Sequence, residues 1–231
     1  YGTAEKGLEG FAALLLILGG LYVIKMAVEL LRGKLLMLMS KNIDGLILNT
    51  TGLNNDFILE MNKKTPIVLL NRRIMHEKFK GDLVDTNSYL GCYKLTKQLL
   101  AMGHRKIYVV RGPAHLSNSF ERFQGFADAM SEVGITIDND YPYVYTGEFT
   151  LKSGEDSIHY MQQMEDMPTA ILSQNNMMTV GILKELRRCM IRIPEDISLV
   201  SYDSINYMDL MMTRPTSASF DSISFRPLLF V

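Results

Sequence analysis

Short, nearly continuous apolar runs alternate along this chain with longer stretches in which apolar residues recur every three or four positions. The runs read as strands and the stretches as amphipathic helices. Residues 27–41 carry the helical pattern, "DGLILNT" (44–50) that of a buried strand, 53–64 a helix, and "TPIVLL" (65–70) a strand introduced by Pro66. A short strand "DLVDT" (82–86) leads into a helix over 88–103 that Gly103 stops, followed by the strand "KIYVV" (106–110). A helix over 118–133 closed by Gly134, a strand "YVYTG", a helix over 153–165, a strand "TAILSQ" (169–174), a helix over 176–190 and a strand "SLVSYD" (198–203) continue the series. Such repeated βα units imply parallel sheets with helices on both faces, joined by right-handed crossovers. Ligands of these folds sit beyond the carboxyl ends of the strands.

The first apolar run, "FAALLLILGGLYVI" (Phe11–Ile24), changes the picture little. It is shorter than the roughly 20 residues a spanning helix needs, and Gly19-Gly20 interrupts it. Glu5 and Glu9 dilute the positive segment a secretory signal requires, and no small-residue cleavage site follows. The run reads as an apolar helix closed by a Gly-Gly turn, then a short strand "LYVI". No membrane partner is expected.

Composition places the chain among ordinary globular proteins, with 47% hydrophobic and 21% charged residues, and 231 residues suffice for one large domain or two lobes. Lysine and arginine number 24 against 25 aspartates and glutamates, a formal charge of -1, so the basic footprint of a stand-alone nucleic-acid binder is missing. Cys92 and Cys189 lie far apart in expected helices, which suits reduced, buried thiols in a cytosolic protein. The histidines, His76, His104, His115 and His159, are scattered without ligand spacing, and the sixteen methionines read as core filling, so no metal is expected. Dinucleotide, triphosphate, hydrolase and zincin signatures are lacking, so neither an enzyme nor a cofactor is expected.

Candidate chemistry gathers at the strand ends. Arg122 lies near the start of the helix over 118–133, where the helix dipole gives a cation no stabilisation, so another partner is called for. Asn175 and Asn176 follow the strand 169–174, and Asp203 ends the strand 198–203. Taken singly, each has an ordinary structural explanation: an exposed helix charge, an N-cap for the helix over 176–190, a turn residue. Their shared position at strand ends favours a site instead. A guanidinium fork, a carboxylate and an amide can divide between them the donors and acceptors of a polyhydroxylated ligand.

With these residues in view, "NIDGLIL", "TPIVLLNRR", "VDTNSYLGCYKLTKQLLAMGHRKI", the Gly112-Pro113 loop with Ser119 and "RFQGF", "TAILSQNNMMTVGILKELRRCMIRIPEDISLVSYDS" and "RPTSAS" resemble the effector-binding core of the lactose/galactose repressor (LacI/GalR) family, over about residues 27–219. The resemblance implies two similar α/β lobes with parallel sheets flanked by helices, related to periplasmic sugar-binding proteins, with a small-molecule effector between the lobes. Residues 1–84 would form the first lobe together with a return segment at 220–231, and residues 85–219 the second. The family's DNA-reading helix-turn-helix is absent from this chain.

By the same resemblance Arg122 and Asp203 match the main polar effector contacts of the second lobe, Asn175 the amide after the strand, and Phe149 in "TGEFT" an aromatic that lies against the ligand's apolar face. Phe149 as a plain core aromatic is the competing reading. Asn71 stands where the family commonly has aspartate, as does Asn176; both keep hydrogen-bonding capacity while removing carboxylates. The expected function is the effector-sensing and dimerising part of a cytoplasmic transcriptional repressor. It would bind a sugar or sugar derivative and act as a homodimer on operator DNA through an N-terminal domain not present here. An extracytoplasmic sugar-binding protein of the same fold is the alternative.

Overall fold

A computed structural model describes residues 33–37, 40, 43–52, 55–205 and 214–218. The helix and strand expected over 11–24 and the return segment expected at 220–231 lie outside the described residues. So does most of the helix expected over 27–41, of which 33–37 are helical. Two compact units divide the chain, Tyr1–Leu69 with His76–Asp82, and Leu70–Met75 with Leu83–Val231.

The first sheet has the order β1-β2-β3, formed by β1 (Leu46–Leu48), β2 (Ile67–Leu70) and β3 (Asp82–Val84). β1 and β2 run parallel, Leu46 opposite Ile67, and α1 (Asn55–Asn62) connects them. Ile58, Leu59 and Met61 of α1 are buried, as are Ile67 and Leu69. The expectation of burial on both faces does not hold at β1, where Ile47 is 69% exposed.

The larger unit is built on five parallel strands in the order β5-β4-β6-β7-β8. They are β4 (Ile107–Arg111), β5 (Val144–Thr146), β6 (Ala170–Ser173), β7 (Ser198–Tyr202) and β8 (Thr216–Ala218). Among the described residues four helices cover it: α2 (Ser88–Ala101), α3 (Ser117–Ser131), α4 (Leu151–Met161) and α5 (Asn176–Arg188). Alternate strand residues feed two cores, since successive side chains of a strand point to opposite faces. Leu95, Leu99, Phe126 and Met130 of α2 and α3 pack with Ile107, Val109, Leu172 and Tyr202. Ile158, Met178, Ile182 and Leu186 of α4 and α5 pack with Tyr108, Val110, Ile171 and Leu199 on the other face. Each fully buried side chain of this size contributes about 1.5–3 kcal/mol.

Local signals set most element ends. Gly103 (φ 92°) and Gly134 (φ 78°) follow α2 and α3 in the left-handed region that closes helices, as their positions in the sequence indicate. α4 begins two residues before the expected Ser153, because the Thr150 hydroxyl caps the Ser153 N–H. It also ends four residues before 165, where the Gln163 and Met164 N–H groups turn back to Tyr160 and Met161 in tighter i to i−3 bonds. β8 has no apolar run to announce it and exists through its pairing with β7, Val200 opposite Thr216.

Both cysteines are free, but only Cys92 is fully buried; Cys189 caps the end of α5 and is half-buried, which corrects the expectation of two buried thiols. Burial pushes the Cys92 thiol up to about 12. Among the described residues no helix is long and apolar enough to cross a membrane.

Candidate functional site

The chain leaves β4 for β5 on one side, then returns to place β6 on the other side of β4. This reversal is the point at which open parallel sheets bind ligands, outside the carboxyl ends of the strands. The loop after β4, the residues after β6, Asp203 after β7 and the first turns of α3 all meet there.

Arg122 occupies the second turn of α3 rather than its start, because α3 begins at Ser117. It is only 4% exposed, which removes the reading of an exposed helix charge. Its Nη1 donates to the Gln174 carbonyl at 2.5 Å, and its guanidinium lies 3.7 Å from the centre of the Tyr202 ring. The fork is thereby held by a backbone acceptor and an aromatic face, both buried, and cation–π contact strengthens when water is excluded. Asp203 Oδ2 lies 3.8 Å from Nη1, an ion pair too long for a hydrogen bond, so both groups retain capacity for a ligand. Burial raises the Asp203 carboxyl above its ordinary value, opposed by the charge of Arg122. Asp203 also holds a left-handed backbone (φ 69°), pinned by its N–H to Ala218 O and its carbonyl to the Ser201 hydroxyl. β8, invisible in the sequence pattern, is therefore what anchors this carboxylate.

Phe149 packs as a core aromatic and also reaches toward Arg122. Its ring packs against the α4/α5 core and lies 5.8 Å from the Arg122 guanidinium. A side chain at Gly112 would meet that ring at 2.2 Å, so a glycine after β4 is required for Phe149 to approach. Asn175 is brought to the same edge, yet its side-chain oxygen caps α5, accepting from the Met177 and Met178 N–H groups at 2.9 and 3.3 Å. The amide oxygen is thus committed to the helix. Asn175→Ala should cost about 1 kcal/mol of stability, read as a lower urea midpoint, whereas Asn175→Asp should keep most of it. Asn71 sits in the turn after β2 with φ 58°, its N–H donating to Val84 O. Its neighbours reach the start of α3: the Arg73 N–H donates to the Ser117 hydroxyl at 2.8 Å, and the Arg73 guanidinium lies 3.8 Å from Glu121.

Three residues at this edge escaped sequence reasoning. Tyr202 carries Arg122 on its ring but reads in the sequence as an ordinary strand aromatic. Arg72 is close enough to Arg122 that the latter's charge, after burial, depresses its guanidinium. Gln174 is fully buried, and neither atom of its amide finds a hydrogen-bond partner among the described residues. A polar residue closing an apolar strand was the one available signal for it.

The model of the periplasmic binding protein-like domain matches residues 96–222, the span that builds this edge. The chain belongs to the periplasmic-binding-protein-like domain family. Among curated proteins it is similar to the transcriptional repressor PurR of Aliivibrio salmonicida, 33% identical over 73% of this chain and 50% of that protein. It is similar to PurR of Photobacterium profundum at 30% over 76% and 52%. The chain spans about half the length of the curated relatives it matches. A solved structure of a LacI-family transcriptional regulator from Enterococcus faecium with bound ribose has the same fold, with a TM-score of 0.69 at 24% identity over 80% of this chain and 68% of that one. The resemblance of this chain to the LacI/GalR effector-binding core is borne out by these relatives, and the fold expected from it, parallel sheets flanked by helices, is the one observed.

Proposed function

We propose that this chain is the effector-sensing part of a transcriptional repressor, and that its effector is a sugar or sugar derivative held at the carboxyl edge of the five-stranded sheet. The observation that carries this reading is the Arg122–Asp203 pair: a buried fork and a half-buried carboxylate 3.8 Å apart at the sheet's reversal point, each with hydrogen-bonding capacity left. Adjacent hydroxyls match that pairing of donor and acceptor, and Phe149 offers a ring face. Asn175 would contribute from the same edge through its amide N–H groups alone, and Asn71 from the turn after β2. The repressor relatives support regulation, and the ribose held by the Enterococcus faecium regulator supports a sugar. The extracytoplasmic alternative is not favoured, because the curated relatives are repressors rather than transport components.

In the whole protein the effector would bias two arrangements, acting only through its difference in affinity for them. A cytoplasmic homodimer reading operator DNA through a helix-turn-helix outside this chain completes the proposal, and no enzymatic step is part of it.

Calorimetric titration against sugars, nucleobases and amino acids tests the reading; a best ligand that is not a sugar overturns the sugar assignment. Its pH dependence is a second expectation. Affinity should fall as acid protonates Asp203, beginning above the ordinary aspartate range of about 4, because burial raises this carboxyl. The folded state binds this proton more readily than the unfolded chain, so Asp203's contribution to stability should decline as pH rises through the same window. Binding and stability then move in opposite directions there, and titration beside thermal unfolding from pH 4 to 7 would show it.

A further inference from the structure

Gln174 is fully buried with both amide atoms unpaired among the described residues, and two further unpaired buried atoms belong to α3: the Arg122 Nε and the Ser119 hydroxyl. The pleat and register place these groups together. Ala170 and Leu172 of β6 face the α2/α3 core and Ile171 the opposite one, so Gln174, in step with them, faces α3. The Gln174 N–H extends the ladder to Val110 O, which keeps that alternation going past Ser173. Ser173 lies opposite Ser201, so Gln174 comes beside Tyr202, the ring that carries the Arg122 guanidinium. The Gln174 carbonyl already accepts Arg122 Nη1 at 2.5 Å. A donor and an acceptor both lacking partners thus share one buried space, and leaving a buried polar group unpaired is costly. Groups left so in a folded protein ask for a role.

We propose that Gln174 is a positioning residue for Arg122: when effector engages the outer guanidinium nitrogens, the Gln174 amide oxygen accepts the Arg122 Nε–H and its NH2 group donates to the Ser119 hydroxyl. Each of these four atoms then has a partner. The guanidinium plane is fixed from its inner edge, leaving the outer nitrogens aimed at Asp203 and the ligand. Effector binding at the outer nitrogens is thereby coupled to hydrogen bonds at the inner edge of the guanidinium. This proposal rests on the effector reading given above.

The test is a double-mutant cycle on the intact chain with the best-binding sugar of the panel, using Gln174→Met, which keeps the volume without polar atoms, and Arg122→Lys, which has no Nε to position. Gln174→Met should weaken binding about tenfold in the parent and less than about twofold in the Arg122→Lys background. It should not lower the midpoint of thermal unfolding, since the amide it removes has no hydrogen-bond partner among the described residues. In protein labelled with 15N at arginine, saturating sugar should shift the Arg122 Nε–H resonance further in the parent, where Nε–H gains a hydrogen bond, than in Gln174→Met. Equal losses in both backgrounds, no loss in the parent, or a large fall in the unfolding midpoint would each overturn the proposal. A parent that binds no sugar in the panel refutes the effector reading itself, and this proposal with it, which is distinguishable from a parent that binds while Gln174→Met binds equally well.

Discussion

Arg122→Ala should abolish most effector binding, with a loss of more than tenfold in affinity, while leaving a chain that unfolds in one cooperative transition. The guanidinium is 4% exposed and touches Gln174 O, the Tyr202 ring and, at 3.8 Å, Asp203. Removing one member of a buried charge-assisted set costs about 1.5–3 kcal/mol, which converts to a tenfold to hundredfold loss. Stability should fall as well, because the Gln174 carbonyl loses its donor and the half-buried Asp203 its cation. Asp203→Ala should weaken binding comparably but burden the fold less, since its side chain is 27% exposed and burial already disfavours its charge. Calorimetric titration of parent and variants, with thermal unfolding of each, reads both effects. Unchanged affinity in both variants would mean the effector sits elsewhere.

Gly181→Ala should destabilise the protein by about 1–3 kcal/mol, although alanine is the better helix former by about 1 kcal/mol. α4 and α5 approach so closely that a Cβ at Gly181 would lie 2.0 Å from Leu151 O, and one at Gly154 2.1 Å from Met178 O. Both obstacles are backbone, so no rotamer change relieves the clash and the helices must separate. That separation would loosen Ile158, Met178 and Ile182 over the sheet. Gly154→Ala should behave alike, and the double variant should lose less than the sum, because one parting of the helices relieves both clashes. Urea unfolding with unchanged slopes would give the numbers; a Gly181→Ala chain as stable as the parent would show that the pair is not this tightly packed. Gly125 has the same role between α3 and α2, where an added Cβ would lie 2.3 Å from Tyr89 O.

The sequence by itself determined the order of strands and helices in the larger unit, the glycines that close α2 and α3, and the placement of Arg122, Asn175 and Asp203 after parallel strands. These follow from signals carried within a few residues: the period of the apolar pattern, the left-handed backbone open to glycine, and the rule that ligands meet the carboxyl ends of strands. Phe149 was legible as an aromatic with two possible roles, of which the structure shows the packing against the core and a place 5.8 Å from the Arg122 guanidinium. What the tertiary structure decided depends on partners distant along the chain. β8 is a strand because β7 offers it a ladder, not because Thr-Ser-Ala prefers to be extended. Arg122 is buried because Tyr202, 80 positions away by number, lies beneath it. Asn175 spends its amide oxygen on α5, and Gln174 keeps an unpaired amide beside an unpaired Arg122 Nε. A local pattern states which residues are polar and where they fall in an element; only the assembled register states which hydrogen-bonding groups are already used and which remain for a ligand.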